Sequence, residues 1–270
     1  KICLMHGIEV DYYKKLFQTT GNIIELIEKD NIPKYLLFLE NVFPYMDNYN
    51  YQKGMKEIIQ ELKNFLKPKD IGTDSDRALL LDFQATLEIK PEKAMKLEKD
   101  ALALITEITE DNAHLVSNLH SNLGGLYRMN GYPDLAMEHM EKGLFLLEQY
   151  NLLYTHDGIP QATNYAMFLT EQQAPEKGIS VLQKLSKGIK EYNSDCCLDY
   201  ATVQETLATI YLMTANLPQA KTHFKRACKI YEKIWADEPE MIEKKYLEIQ
   251  ELYPQVGYFL GQQISNFLTE

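Results

Sequence analysis

Apolar residues in the middle of the chain recur at the spacing of an α-helix. Leu123 and Tyr127 stand an i, i+4 step apart, and Ala136, Met140, Gly143 and Leu147 form an i, i+4, i+7, i+11 stripe. A stripe of that period gathers its apolar groups on one face, so the two stretches predict a pair of amphipathic helices around a short turn. The turn itself is written in Asn130-Gly131-Tyr132-Pro133 and again in Ala215-Asn216-Leu217-Pro218. Asn and Gly tolerate the left-handed conformation that ends a helix, and Pro opens the next one.

The pattern repeats every 42 residues: Pro91, Pro133 and Pro175 keep that spacing and Pro218 follows one residue late. The first three precede an acidic residue, and a small residue comes three positions later, at Ala94, Ala136 and Gly178. Each reads as a helix start, because Pro is tolerated in the first turn and an acidic neighbour complements the positive end of the helix dipole. Apolar positions hold the same register at Leu81, Leu123, Tyr165 and Leu207, at Ala85, Tyr127, Leu169 and Tyr211, and at Ala101, Gly143, Leu185 and Ala227. Small residues at Gly124, Ala166 and Ala208 are expected to face Ala136, Gly178 and Ala220, which lets two antiparallel helices approach closely. Asp82 breaks this rule at the place equivalent to Gly124.

The predicted organisation is a divergent N-terminal cap at 1–74, helix pairs at about 75–116, 117–158, 159–200 and 201–236, and capping helices at 237–270. Residues 8–30 and 33–66 read as helices with breaks at Thr20-Gly21 and Phe43-Pro44. Leu39 and Phe43 fall on the extrapolated register and Lys56 does not. The last segment splits at Tyr253-Pro254 and ends in a stripe of Leu260, Ile264 and Phe267, which would cap the array or form a dimer contact.

Leu123-Gly124-x-x-Tyr127 followed by Ala136-x-x-x-Met140-x-x-Gly143 resembles the tetratricopeptide repeat, in the 42-residue form of kinesin light chains and many bacterial signalling proteins. Leu207-Ala208-x-x-Tyr211 with Ala220-x-x-x-Phe224-x-x-Ala227 is closer still, and Tyr165-Ala166-x-x-Leu169 with Gly178-x-x-x-Leu182 is a weaker copy. The resemblance covers about residues 75–235 and implies an all-α, right-handed α-solenoid whose first helices line a concave groove. It places Phe83, Ser121, Asn122, Arg128, Thr163, Asn164, Met167, Glu205 and Thr209 in that groove as partner-binding residues. Asn122 and Asn164 stand at equivalent positions, where related repeats often use Asn to hold a peptide backbone, an amide being both donor and acceptor. The terminal-carboxylate clamp of chaperone-tail receptors is absent, since its positions carry Ser121, Gly125, Thr202 and Thr206 and keep only Asn164.

Composition narrows the partner. The 270 residues are 45% hydrophobic and 25% charged, which fits a globular or repeat protein and excludes disorder. A net charge of −11 opposes a nucleic-acid backbone, and no basic face offsets it. No apolar run approaches the roughly 20 residues that span a bilayer. Four cysteines, with Cys196 and Cys197 adjacent, make a poor disulfide framework and point to a reducing compartment, the cytoplasm. The first residue is Lys1 rather than Met, which points to a piece of a longer protein.

Catalytic motifs are missing: there is no Gly-Lys phosphate loop, no Gly-x-Ser-x-Gly elbow and no His-Glu-x-x-His helix. The best metal-like grouping, Glu107, Asp111 and His114, would share a face if helical, but Asp111-Asn112 reads better as a loop and N-cap. His120, His139 and His223 are isolated in sequence and read as surface or groove residues. No cofactor and no enzymatic activity are expected. The leading expectation is a scaffold or adaptor that binds a protein or peptide. The alternatives are a ligand-sensing region of a larger signalling protein and, third, an enzyme with an unrecognised site.

Overall fold

The computed structural model describes Leu39 and residues 52–66, 73–155, 158–192 and 196–252. Among the described residues ten helices follow one another with no strand: α1 Gln52–Leu66, α2 Asp74–Thr86, α3 Pro91–Leu104, α4 Ala113–Met129, α5 Pro133–Gln149, α6 Gly158–Glu171, α7 Pro175–Tyr192, α8 Leu198–Met213, α9 Leu217–Ile234 and α10 Pro239–Leu252. The chain divides into two compact units, Lys1–Leu146 and Leu147–Glu270, at a point inside α5.

The helices begin where the prolines predict. Pro91, Pro133 and Pro175 are the first residues of α3, α5 and α7, each followed by an acidic residue in the first turn. Pro218 is second in α9, whose start is capped by Asn216 Oδ1 accepting from the Gln219 N–H at 3.4 Å. At α2 a capping box closes the N-terminus: Thr73 Oγ1 accepts from the Asp76 N–H at 3.1 Å, and Asp76 Oδ2 accepts from the Thr73 N–H at 2.6 Å.

The turns correct one expectation. The left-handed conformation falls at Gly131 (φ 77°), Gln173 (φ 62°) and Ala215 (φ 57°), and not at Asn130 or Asn216. These three positions share one place in the 42-residue register. The geometry of the turn therefore dictates the conformation and residue type yields to it, with a strain of about 1–2 kcal/mol wherever a Cβ is present.

In the first unit α2 packs on α1, α3 and α4, and α3 on α4. Its core holds Ala78, Ala101, Leu115 and Leu119, flanked by Leu79, Leu81, Leu102, Leu104 and Ile105. Ala136, Met140 and Gly143 of the predicted stripe are buried here, and Leu147, with which the second unit begins, is buried as well. A Cβ on Gly124 would lie 2.6 Å from Met140 Cγ and 3.3 Å from the Ala136 oxygen, and Ser117 Oγ donates to the Gly143 carbonyl at 3.0 Å.

In the second unit α6 packs on α7 and α8, α8 on α7 and α9, and α10 on α9. A Cβ on Gly178 would stand 2.5 Å from the Ala166 oxygen, so the predicted small-residue pairing is real there too. Ala208, Phe224, Cys228, Ile242, Tyr246 and Ile249 form the far core. Burial pushes the Cys228 thiol up to about 12, which keeps it an inert packing group.

Within the N-terminal reading, α1 is helical, Leu39 is buried and Lys56 is exposed. Residues 8–30, the breaks at Thr20-Gly21 and Phe43-Pro44, and Tyr253-Pro254, Leu260, Ile264 and Phe267 lie outside the described residues. No helix among the described residues is long and apolar enough to cross a membrane.

Candidate functional site

Helices α4 and α6 each present an exposed asparagine, Asn122 and Asn164, at the same place in the register. One lies in each unit. Asn122 donates from Nδ2 to Asp82 Oδ1 on α2 at 2.7 Å. Ser121, Arg128 and Met167 are half-buried, whereas Phe83, Thr163 and Thr209 are buried at 6%, 7% and 7% exposure. The two threonine hydroxyls bond back to their own helices, Thr163 Oγ1 to the Pro160 carbonyl at 2.8 Å and Thr209 Oγ1 to the Glu205 carbonyl at 3.0 Å. These three side chains serve packing and offer little to a ligand. A first helix meets two neighbours at once, its own partner and the first helix of the next pair, as α2 meets α3 and α4, so its open face is narrower than a single stripe implies.

Glu205 is engaged inside the second unit. Tyr231 Oη donates to Glu205 Oε2 at 2.7 Å, and Lys245 Nζ stands 3.2 Å from the same oxygen, which ties α8 to α9 and α10. Burial and the Glu205 charge hold the Tyr231 hydroxyl in its protonated, donating form. Tyr246 Oη repeats the device by donating to Glu232 Oε1 at 2.5 Å.

Asp82, the departure from the small-residue rule, is half-buried and pairs with a second acid that is fully buried. Its partner Glu98 on α3 occupies the place that carries Met140, Leu182 and Phe224 in the later pairs, just as Asp82 occupies that of Gly124, Ala166 and Ala208. The two carboxyls hydrogen-bond to each other and the Asn122 side chain stands against both. Glu98 is 1% exposed, and its Oε2 has no hydrogen-bond partner. Burial pushes Glu98 well above the usual carboxylate range, helped by the adjacent Asp82 charge, and burial also raises Asp82. Two like charges in contact away from water cannot both ionise, so the pair keeps a proton at neutral pH.

The histidines are not isolated in space, which corrects a second expectation. His120 Nδ1 and His139 Nδ1 are 2.9 Å apart, and the His139 ring lies 5.3 Å from that of Tyr127. Two repeat lengths further on, His223 Nδ1 is 2.9 Å from Gln204 Oε1 and its ring stacks on Tyr211 at 5.4 Å. Gln204, Tyr211, His223 and Arg226 thus stand where His120, Tyr127, His139 and Lys142 stand. Burial lowers all three imidazoles, and His120 falls to about 4 because the second ring and Lys142 add to it.

Glu107 and Asp111 sit in the loop between α3 and α4 while His114 lies in α4, so the helical face that would gather them does not exist. Asn112 precedes α4 as predicted, but it orders the loop instead of capping the helix. Its Oδ1 accepts from the Thr109 N–H at 2.8 Å and its Nδ2 donates to the Glu107 carbonyl at 2.9 Å. Among the described residues no three His, Cys, Asp or Glu side chains form a metal-binding group. Cys197 is the N-cap of α8, its Sγ accepting from the Tyr200 N–H at 3.4 Å, and Cys196 is exposed beside it.

Helix pairs opened by proline at a 42-residue spacing, closed around small residues and joined first helix to first helix, define an all-α repeat protein of the α-solenoid class. Residues 159–233 match the model of the tetratricopeptide repeat family. No curated protein matches the chain. Among solved structures, BtubC (BKLC) from P. vanneervenii superposes with a TM-score of 0.58 at 18% identity, covering 78% of this chain and 84% of that one. Two crystal structures of nearly identical TPR-like repeats of a Podosopora anserina kinesin-light-chain protein give TM-scores of 0.57 and 0.56 at 14% and 15% identity. They cover 75% and 73% of this chain and 98% and 96% of theirs. At these identities the likeness speaks for the fold.

Proposed function

We propose that the chain is a polypeptide-binding repeat module, a scaffold or adaptor without catalytic activity, whose first helices hold the ligand. The observation that carries this reading is the exposure of Asn122 and Asn164, one in each unit, at one register position on first helices. A primary amide offers a donor and an acceptor to an extended backbone. Ser121 and Arg128 flank the first of these positions and Met167 the second. The adjacent Cys196 and Cys197, a poor start for a disulfide framework, support a reducing compartment such as the cytoplasm.

Selection from a random peptide display library tests the reading. Peptides should be enriched on the folded chain, and Asn164→Ala should weaken them about tenfold, one lost charge-free hydrogen-bond pair to a backbone being worth roughly 1.4 kcal/mol. Helix content and melting should not change, because the Asn164 side chain is exposed. Failure of any peptide to enrich, or enrichment indifferent to Asn164, would argue against it.

A further inference from the structure

The acid pair stands where every later helix pair is apolar or small, so it costs stability at a place where the fold has a cheaper solution in hand. The cost is visible as Glu98 Oε2, a buried acceptor without a donor. Asp82 above it is half-buried and reaches the surface beside the exposed Asn122. What is missing from this arrangement is a donor that carries positive charge. We propose that Asp82, Glu98 and Asn122 receive a cationic side chain, an arginine guanidinium or lysine ammonium, from a basic segment of the bound polypeptide.

This inference rests on the polypeptide-binding reading and specifies the ligand's chemistry. A guanidinium matches the geometry of a carboxylate with two parallel N–H groups, and Asp82 is the half-buried carboxylate of the pair, beside the exposed Asn122. As the cation docks, the proton shared by the pair leaves to solvent, and two carboxylates then face one positive charge. The groups facing Asp82 are Glu98 from α3, and Asn122 and His114 from α4. An excess of acidic side chains, 39 against 28 basic, favours approach of a basic segment from a distance.

The probe is an acetylated, amidated peptide of alternating Gly and Arg, compared with its citrulline counterpart, which keeps the shape and removes the charge. Calorimetry at pH 7 and about 0.15 M salt, in two buffers of different ionisation enthalpy, reads affinity and proton release together. The arginine peptide should bind with release of a proton, Asp82→Asn and Glu98→Gln should each weaken it about tenfold, and Glu98→Gln should abolish the release. Both substitutions are near-isosteric, and Glu98→Gln mimics the protonated acid, so melting curves will show a retained fold. Equal binding by the native chain and both variants, or equal binding of the citrulline peptide, would overturn the site. Calcium binding at the pair without peptide binding would overturn the ligand class. The display selection separates the two readings: enrichment of peptides without basic residues sinks this inference and leaves the module, and no enrichment sinks both.

Discussion

Replacing the acid pair by the residues that the later repeats use should stabilise the protein. The double substitution Asp82→Ala with Glu98→Leu installs the Ala166 and Leu182 pairing at the same register places. At 1% exposure Glu98 gains nothing from water, and its orphaned Oε2 alone costs about 1–3 kcal/mol. Exchanging a buried charged cluster for packed apolar side chains gains about 1–4 kcal/mol in other proteins, so a gain near 2 kcal/mol is expected. A melting temperature higher by about 4–8 °C corresponds to that gain in a chain of this size. The pH dependence gives a second, sharper reading. Both carboxyls have raised folded values, so the native state holds a proton that the unfolded chain has released above the ordinary carboxylate range. Wild-type stability from this source is present at low pH and falls as pH rises, and the advantage of the variant must grow from pH 5 to pH 7. Urea unfolding followed by circular dichroism at the two pH values measures it. A variant that is less stable at pH 7, or an advantage that shrinks as pH rises, would refute the reasoning.

The imidazole pair works in the opposite direction: with His120 lowered to about 4, the native state resists protonation that the unfolded chain accepts near 6.5. Stability from the pair is therefore lost as pH falls through that window, by about 1–2 kcal/mol once screening of the partly exposed ring is allowed for. His120→Gln, which copies Gln204, should flatten this loss in acid unfolding curves, and an unchanged slope would count against it. At the left-handed turn positions, Ala215→Gly and Gln173→Gly should each raise stability by about 0.5–1 kcal/mol, and Gly131→Ala should lower it by about 1 kcal/mol. A Cβ at Gly131 meets nothing within 4 Å, so thermal melting of that variant reads backbone strain alone. Among helical glycines, Gly178→Ala should cost about 1–3 kcal/mol because the new Cβ meets the Ala166 backbone oxygen at 2.5 Å. Gly125→Ala, with open space around it, should gain about 0.5–1 kcal/mol, and reversal of that order would refute the packing argument.

The repeat architecture was legible because its cues are local and periodic. Pro91, Pro133 and Pro175 fix helix starts, and Gly124, Ala166 and Gly178 fix close approaches, with no information needed from elsewhere in the chain. Which first-helix side chains stay exposed was less legible. Phe83, Thr163 and Thr209 satisfy the spacing of a lining residue, yet a first helix is covered on two sides, and periodicity along one helix cannot register the second neighbour. Glu205 was equally hidden, because Lys245 reaches it from α10, a helix outside the repeated segment. Asp82 was visible as a broken rule. Its meaning required noticing that Glu98 breaks the apolar rule at the matching place on the partner helix, which the same 42-residue comparison contains.

The histidine clusters show why a single offset was insufficient. At one repeat length His120 aligns with Ala162 and His139 with Val181, so the comparison reports no likeness, and only the doubled offset aligns them with Gln204 and His223. The doubled pattern also separates two chemical behaviours built on one geometry. Gln204 Oε1 is an acceptor shared by His223 Nδ1 and Arg226 Nη1, so a proton added to the far ring nitrogen of His223 leaves its hydrogen bond in place. His120 and His139 face each other nitrogen to nitrogen, one Nδ1 donating to the other, so a proton added to the accepting Nδ1 removes that hydrogen bond. The two clusters therefore respond differently to acid although the repeat places them alike. The His120 side chain, where the other cluster has an amide, is the atom-level cause, and exchanging that one residue is enough to test it.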